Sequence, residues 1–151
     1  LIGVFSPDLC EPMANVLKNL GTELAMVVHG LDGLDEISTL GVTRISELRN
    51  GTIRSYDLDP ADVGIARACP DCITGGDTVD ESARLLTSVL QGDKGPRRDI
   101  VCLNAGAALT IAGLAEQLRD GIDMAEATID SGAALRTLEN LVGFTQGCTE
   151  S

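Results

Sequence analysis

Two neighbouring carboxylates, Asp35 and Glu36, end the run His29-Gly-Leu-Asp-Gly-Leu-Asp-Glu36, directly after the short apolar stretch Leu24-Ala-Met-Val-Val28. Carboxylate oxygens are hard ligands. Mg2+ is commonly held by one or two of them, completed by waters and substrate phosphates. Adjacent acids in a loop can share two ions, with one carboxylate bridging. A solvated acidic turn accounts for the same residues with no chemistry at all. His29 and Asp32 precede the pair; His29 is expected to end the strand or hold the loop rather than react. It is the single histidine, and no Ser/His/Asp constellation accompanies it.

The elements around this loop read as α/β. A continuous apolar run such as 24–28 suits a strand buried on both faces, as in a parallel sheet. In open α/β sheets ligands sit beyond the carboxyl ends of strands, which is where the acidic loop lies. Thr43–Arg49 and Thr52–Leu58 flank Asn50-Gly51, the strongest short hairpin signal, so an antiparallel hairpin joins the sheet. Ser6-Pro7 opens a helix expected over about 7–20, with Ser6 as N-cap and Gly21 beyond its end. Asp77 or Thr78 caps a helix ending near Gly92, and Asp59-Pro60 starts a short helix or turn. Asp99 is read as the cap of a centrally buried helix reaching Leu118, since apolar residues cover most of its circumference. Gly121 then separates it from helical segments at about 123–131 and 133–144. The tail from Gly147 to Ser151 is expected to fray.

The 151 residues suffice for one domain with a sizeable core, and neither a repeat nor a linker divides them. A net charge of −12 excludes the basic face that nucleic-acid binding requires, and it disfavours anionic lipid. No apolar run approaches the ~20 residues of a membrane span. A cytoplasmic location is expected. The chain opens on Leu-Ile, not Met, as a piece of something longer would. A single strand plus a hairpin makes a thin sheet, which an upstream segment is expected to complete.

Five cysteines, at positions 10, 69, 72, 102 and 148, form no disulfide framework. Reduced thiols are the expectation. Cys69 and Cys72 form a lone CxxC, open to reading as half a zinc site, a redox pair or chance spacing. A tetrahedral zinc site lacks its remaining ligands here, so chance spacing is preferred. Arg97 and Arg98 are expected to pair with nearby acids, and Asn104 to hydrogen-bond backbone near the sheet.

The run VVHGLDGLDEIS from Val27 to Ser38 resembles a signature of anthranilate phosphoribosyltransferases. Three further stretches fit in the same order: GVFSPDLCEPMANVLKNLG from Gly3, KGPRRDIVCLNAGAAL from Lys94, and AEATIDSGAALRTLENLVGFTQ from Ala125. The resemblance implies that residues 1–151 are the C-terminal part of a single α/β catalytic domain of the nucleoside phosphorylase/phosphoribosyltransferase type. That domain is helix-rich around a partial sheet with a β-hairpin. The implied reaction transfers phosphoribosyl from phosphoribosyl pyrophosphate (PRPP) to anthranilate, in tryptophan biosynthesis. The implied cofactor is Mg2+, with Glu36 touching two ions and Asp35 one.

In the family, a Gly-Thr-Gly-Gly-Asp phosphate loop, a Lys-His-Gly-Asn segment, the anthranilate-binding Asn and Arg, and a small helical dimerisation domain all lie upstream of these stretches. The upstream half and a homodimer of the complete enzyme are therefore expected partners, and the chain alone is expected to be inactive. Thr74-Gly-Gly-Asp77 mimics the phosphate loop but falls at a later family position, leading into a helix. Ser82 stands where family members often carry Asn. A pyrimidine nucleoside phosphorylase and a non-catalytic nucleic-acid-binding relative of the same fold are the rivals. The HGLDGLDE run opposes the first and the negative charge the second.

Overall fold

A computed structural model describes residues 1–148. Four strands lie side by side in chain order: β1 (Ile2–Gly3), β2 (Leu24–Gly30), β3 (Thr43–Arg49) and β4 (Thr52–Leu58). β1 runs parallel to β2, with Ile2 opposite Val27 and Gly3 opposite Val28. β2 and β3 are antiparallel, from Leu24 opposite Arg49 to Gly30 opposite Thr43. β3 and β4 form the expected hairpin, closed by Arg49 opposite Thr52. Asn50 and Gly51 both take positive φ, 52° and 72°. That is the two-residue turn whose twist matches the flanking strands.

Because side chains alternate along β2, its two faces feed different cores. Val27 packs with Val4, Cys10 and Ala14, under the helix α1 (Cys10–Asn19). Met26 and Val28 face the larger core, with Ile37 and Ile45. The far side of that core is built by α4 (Pro96–Ile111) and α5 (Leu118–Asp130), through Cys102, Leu103, Ala107, Ile122, Ala125 and Ile129. The short turn α2 (Pro70–Ile73), α3 (Val79–Leu90) and α6 (Ala133–Gly147) complete the helical layer. Among the described residues, no helix is long and apolar enough to cross a membrane.

Several expectations are corrected. Residues 7–9 form a 3-10 turn ahead of α1, and the Ser6 side chain makes no capping hydrogen bond. β1 is absent from the sequence reading because two residues carry no periodicity. β2 extends to Gly30, and β3 pairs with it antiparallel. Asp99 lies in the first turn of α4, not at its cap; Gly95 is the N-cap and Pro96 opens the helix. The long buried helix expected to reach Leu118 ends at Ile111, and Leu118 is the first residue of the next helix. Gly113, at φ +73°, donates to the Thr110 carbonyl while Leu114 donates to Leu109. This pair of bonds is a helix stop that needs a left-handed residue. Gly121 is not a separator but sits inside α5, where its Cβ would lie 2.4 Å from the Gly106 carbonyl oxygen. α6 runs to Gly147, beyond the expected end at 144. The rest of the tail expected to fray, residues 149–151, lies outside the described residues.

Cys69 and Cys72 are also corrected: they are joined by a disulfide, while Cys10, Cys102 and Cys148 are free. Pro70 opens a single turn, so residues three apart come together on one face.

Candidate functional site

The acidic loop spans residues 31–42, between the carboxyl end of β2 and the start of β3. Its shape begins with backbone bonds. Gly33 donates to the Gly30 carbonyl at 2.8 Å, Gly30 donates to Leu34 at 2.8 Å, and Leu31 donates to Val42 at 2.8 Å. The Asp32 carboxylate accepts the Leu34 N–H at 3.2 Å, so this acid shapes the turn.

Asp35 and Glu36 follow, held from two sides. On one side, Gly3 lies so close that a Cβ there would stand 1.5 Å from the Asp35 carbonyl oxygen. Only a residue without a side chain permits that approach. On the other side, Asn104 in α4 reaches Ile37. Its Oδ1 accepts the Ile37 N–H at 2.9 Å, and its Nδ2 donates to the Ile37 carbonyl at 2.9 Å and to Ile100 at 3.0 Å. The Ile37 side chain is buried in the main core. Ser38 donates its N–H to Thr43 Oγ1, and Leu40 donates to Ser38 Oγ. The Thr39 carbonyl accepts from Ala68 N–H at 2.9 Å. The loop is irregular, yet its buried part, Ile37 to Thr39, is hydrogen-bonded to α4, to β3 and to Ala68, as buried backbone requires.

Asp35 is exposed and Glu36 half-buried. Burial first, then the like charges of Asp35 and Asp32, push the Glu36 carboxyl above the ordinary glutamate range. A cation beside it would offset the repulsion that raises it. Among the described residues, no three His, Cys, Asp or Glu side chains gather into a metal cage. Two carboxylates on a braced, partly open loop fit instead the partial protein shell of Mg2+, which takes its remaining oxygens from water and phosphate.

His29 is buried, and its Nδ1–H donates to the Val4 carbonyl at 2.7 Å. It ties the segment after β1 to β2, the structural role expected of it. Arg98 is buried and pairs with Asp130 at 2.6 Å, as expected, while Arg97 donates to the Thr74 carbonyl rather than to an acid.

Residues 1–135 match the family model described as glycosyl transferase family, a/b domain. The chain belongs to that family. It is 49% identical over 145 residues to an anthranilate phosphoribosyltransferase of Acetivibrio thermocellus, covering 96% of this chain and 42% of the relative. The crystal structure of anthranilate phosphoribosyltransferase from Thermus thermophilus superposes with a TM-score of 0.85 at 40% identity, over 95% of this chain and 42% of that one. The Saccharomyces cerevisiae anthranilate phosphoribosyltransferase in complex with PRPP and Mg superposes at 0.79 with 26% identity, over 91% and 40%. The resemblance drawn from the HGLDGLDE run is thus borne out. The chain spans less than half the length of these relatives.

Within this glycosyl transferase domain the Thr74–Asp77 stretch is no phosphate cradle. Its groups are used internally: Gly76 N–H donates to Ser82 Oγ, and Asp77 N–H donates to the Glu81 carboxylate. Thr78, not Asp77, caps α3 by accepting from Glu81 N–H. Sequence reasoning missed Gly3 and the target of Asn104. For Asn104 a signal existed, a lone amide on a helix whose circumference is mostly apolar beyond its first turn.

Proposed function

We propose that this segment belongs to an anthranilate phosphoribosyltransferase, which transfers phosphoribosyl from PRPP to anthranilate and releases pyrophosphate. The observation that carries the reading is the identity of about half of all aligned residues, over nearly the whole chain, to relatives of that name. Residues 1–151 form the C-terminal part of one α/β catalytic domain in this reading. The complete enzyme is a cytoplasmic homodimer acting in tryptophan biosynthesis.

Asp35 and Glu36 would hold Mg2+ at the second metal site. When bound, the ion supplies charge neutralisation for the departing pyrophosphate. The chain's own contribution is positional. Asn104 fixes the backbone immediately after Glu36, and Gly3 lets the Asp35 peptide settle against β1. Displacement at the ribose C1 builds positive charge on the sugar and negative charge on the leaving group. The attacking aryl amine is neutral at pH 7, so no strong general base is required. Placement and electrostatics supply most of the acceleration.

The test is a substrate comparison on a complete enzyme containing this segment. Fluorescent anthranilate should be consumed with PRPP and Mg2+, and a pyrimidine nucleoside with inorganic phosphate should be left intact. Phosphorolysis of the nucleoside without anthranilate turnover would overturn the proposal in favour of a nucleoside phosphorylase.

A further inference from the structure

The connector between β4 and α3 carries the disulfide Cys69–Cys72, which the acidic loop's chemistry does not use. Cys69 is exposed and Cys72 half-buried. The turn they span, α2, is four residues long and has no side-chain cap at its N-terminus. A single helical turn is far below the length at which helices persist unaided. Beyond the few bonds of its own ladder and the cross-link, Cys72 N–H donates to the Cys69 carbonyl and Thr74 Oγ1 to the Asp71 carbonyl.

Two contacts make the state of this turn matter elsewhere. Ala68, directly before Cys69, donates its N–H to the Thr39 carbonyl, three residues past Glu36. Thr39 is fully buried, and its hydroxyl has no hydrogen-bond partner among the described residues. On the other flank, the Thr74 carbonyl is clasped by Arg97 at the start of α4. That helix also carries Asn104. The connector therefore touches both the acidic loop and the helix that braces it.

Cys72 also lines a cavity of about 190 Å3 whose charged side chains are three cations, Lys94, Arg97 and Arg98, and one acid, Asp93. Lys94 and Arg98 share Asp130, whereas Arg97 is bound to a neutral carbonyl and joins no ion pair among the described residues. Positive charge near a sulfur stabilises its thiolate and makes it a better leaving group.

We propose that Cys69 and Cys72 are a reversible dithiol–disulfide site that exchanges with low-molecular-weight thiols and sets how firmly the connector holds Thr39. An external thiolate attacks the exposed Cys69 Sγ. The S–S bond breaks, and its electron pair leaves on Cys72 Sγ, beside the cationic wall. A second external thiolate then attacks the external sulfur of the mixed disulfide, releasing the Cys69 thiolate and the oxidised external disulfide. Two external thiols are oxidised and one protein disulfide is reduced; the thiolates take up protons from solvent. The cross-link closes a loop of sequence separation 3. Its loss restores chain freedom that a loop of that size restricts by roughly tenfold or somewhat more.

The test uses the chain in glutathione buffers of graded reduced-to-oxidised ratio, with two readouts. Acid quenching, then alkylation in denaturant so that the buried Cys10 and Cys102 are reached, followed by intact mass, should show a single cooperative step from three to five reactive thiols, reversible on re-oxidation. Hydrogen exchange should show the amides of 68–76 and of Thr39 and Leu40 speeding up by roughly tenfold across that step. Cys69→Ser with Cys72→Ser should exchange like the reduced chain at every ratio. Five reactive thiols even in fully oxidised buffer would overturn the proposal. So would a two-thiol step that leaves exchange at Thr39 and Leu40 unchanged.

Discussion

The acidic loop and α6 make opposite use of regular structure. Residues 31–42 form neither helix nor strand, yet Gly3, Asn104 and Thr43, on three separate elements, and Ala68, in a connector, fix them. α6 is fifteen residues of helix without a single buried side chain, and Leu141 and Phe144 are 57% and 72% exposed. Backbone regularity therefore does not measure how firmly a segment is held. A loop gains its order from long-range hydrogen bonds to buried groups, and a helix covered only in part, at Ala133 to Leu135 and Leu138, gains less beyond its own ladder. The candidate chemistry lies in the region that is irregular and well held, as a site needing fixed geometry requires.

The comparison is sharpened most by removing the loop's main brace. Asn104→Leu strips the Ile37 N–H and carbonyl of their partners inside the core. Leaving two such groups unpaired should cost about 3 kcal/mol, read as a lowered midpoint in urea unfolding. A loss near zero would mean the loop does not depend on α4.

The corner that carries α6 comes next. The Arg98 guanidinium, with Lys94 beside it, holds the Asp130 carboxyl down at about 2, below the ordinary aspartate value. A carboxyl lowered by folding contributes stability above its unfolded value, and that contribution is lost as pH falls through the folded one. Wild-type stability should therefore drop between about pH 4 and pH 2. Asp130→Asn should be less stable near neutrality and show a shallower drop in that window. Parallel acid titrations of both proteins by circular dichroism would expose the difference, and superimposable curves would remove the pair from the account.

Glu36 works with the opposite sign. Its carboxyl is raised by burial and by Asp35 and Asp32. A raised carboxyl contributes stability below its unfolded value, and that contribution is lost as pH rises through the folded one. At neutral pH, ionised Glu36 is thus a cost to the fold. Glu36→Gln should melt slightly higher than wild type at pH 7, with the gain vanishing under acid conditions. A lower melting temperature at pH 7 would show that the acidic cluster is not self-repelling. The smallest effect belongs to α6: Leu141→Ser should change unfolding free energy by less than about 0.5 kcal/mol, as for open surface sites.

Much of the fold is legible in the sequence where the signal is local. Asn50-Gly51 announces its hairpin to the residue, because two positive φ angles admit few alternatives. The periodicity of 79–90 announces α3 equally well. The division between α4 and α5 is not legible. Gly113 ends a helix and Gly121 lies inside one, and a glycine at a helix stop looks no different in sequence from a glycine at a helix crossing. The acidic pair is visible as a pair, but its brace is not. Asn104 and Ile37 are separated by 67 residues, and Gly3 meets Asp35 only once β1 has joined the sheet. The Cys69–Cys72 pair is open to reading as a redox pair but is set aside for chance spacing, because the spacing alone does not show the turn, opened by Pro70, that joins the two sulfurs.

The central claim is that Asp35 and Glu36 hold the ion that stabilises the leaving group. It is tested most directly by steady-state kinetics across a magnesium titration, in a complete enzyme containing this segment, comparing wild type with Asp35→Asn plus Glu36→Gln. Neutral amide oxygens are poorer ligands for a hard cation. The double variant should therefore lose kcat by about tenfold for each 1.4 kcal/mol of lost stabilisation. Raised Mg2+ should recover part of the loss, and the KM for anthranilate should move less. A folded double variant with unchanged kcat and unchanged magnesium dependence would contradict the account.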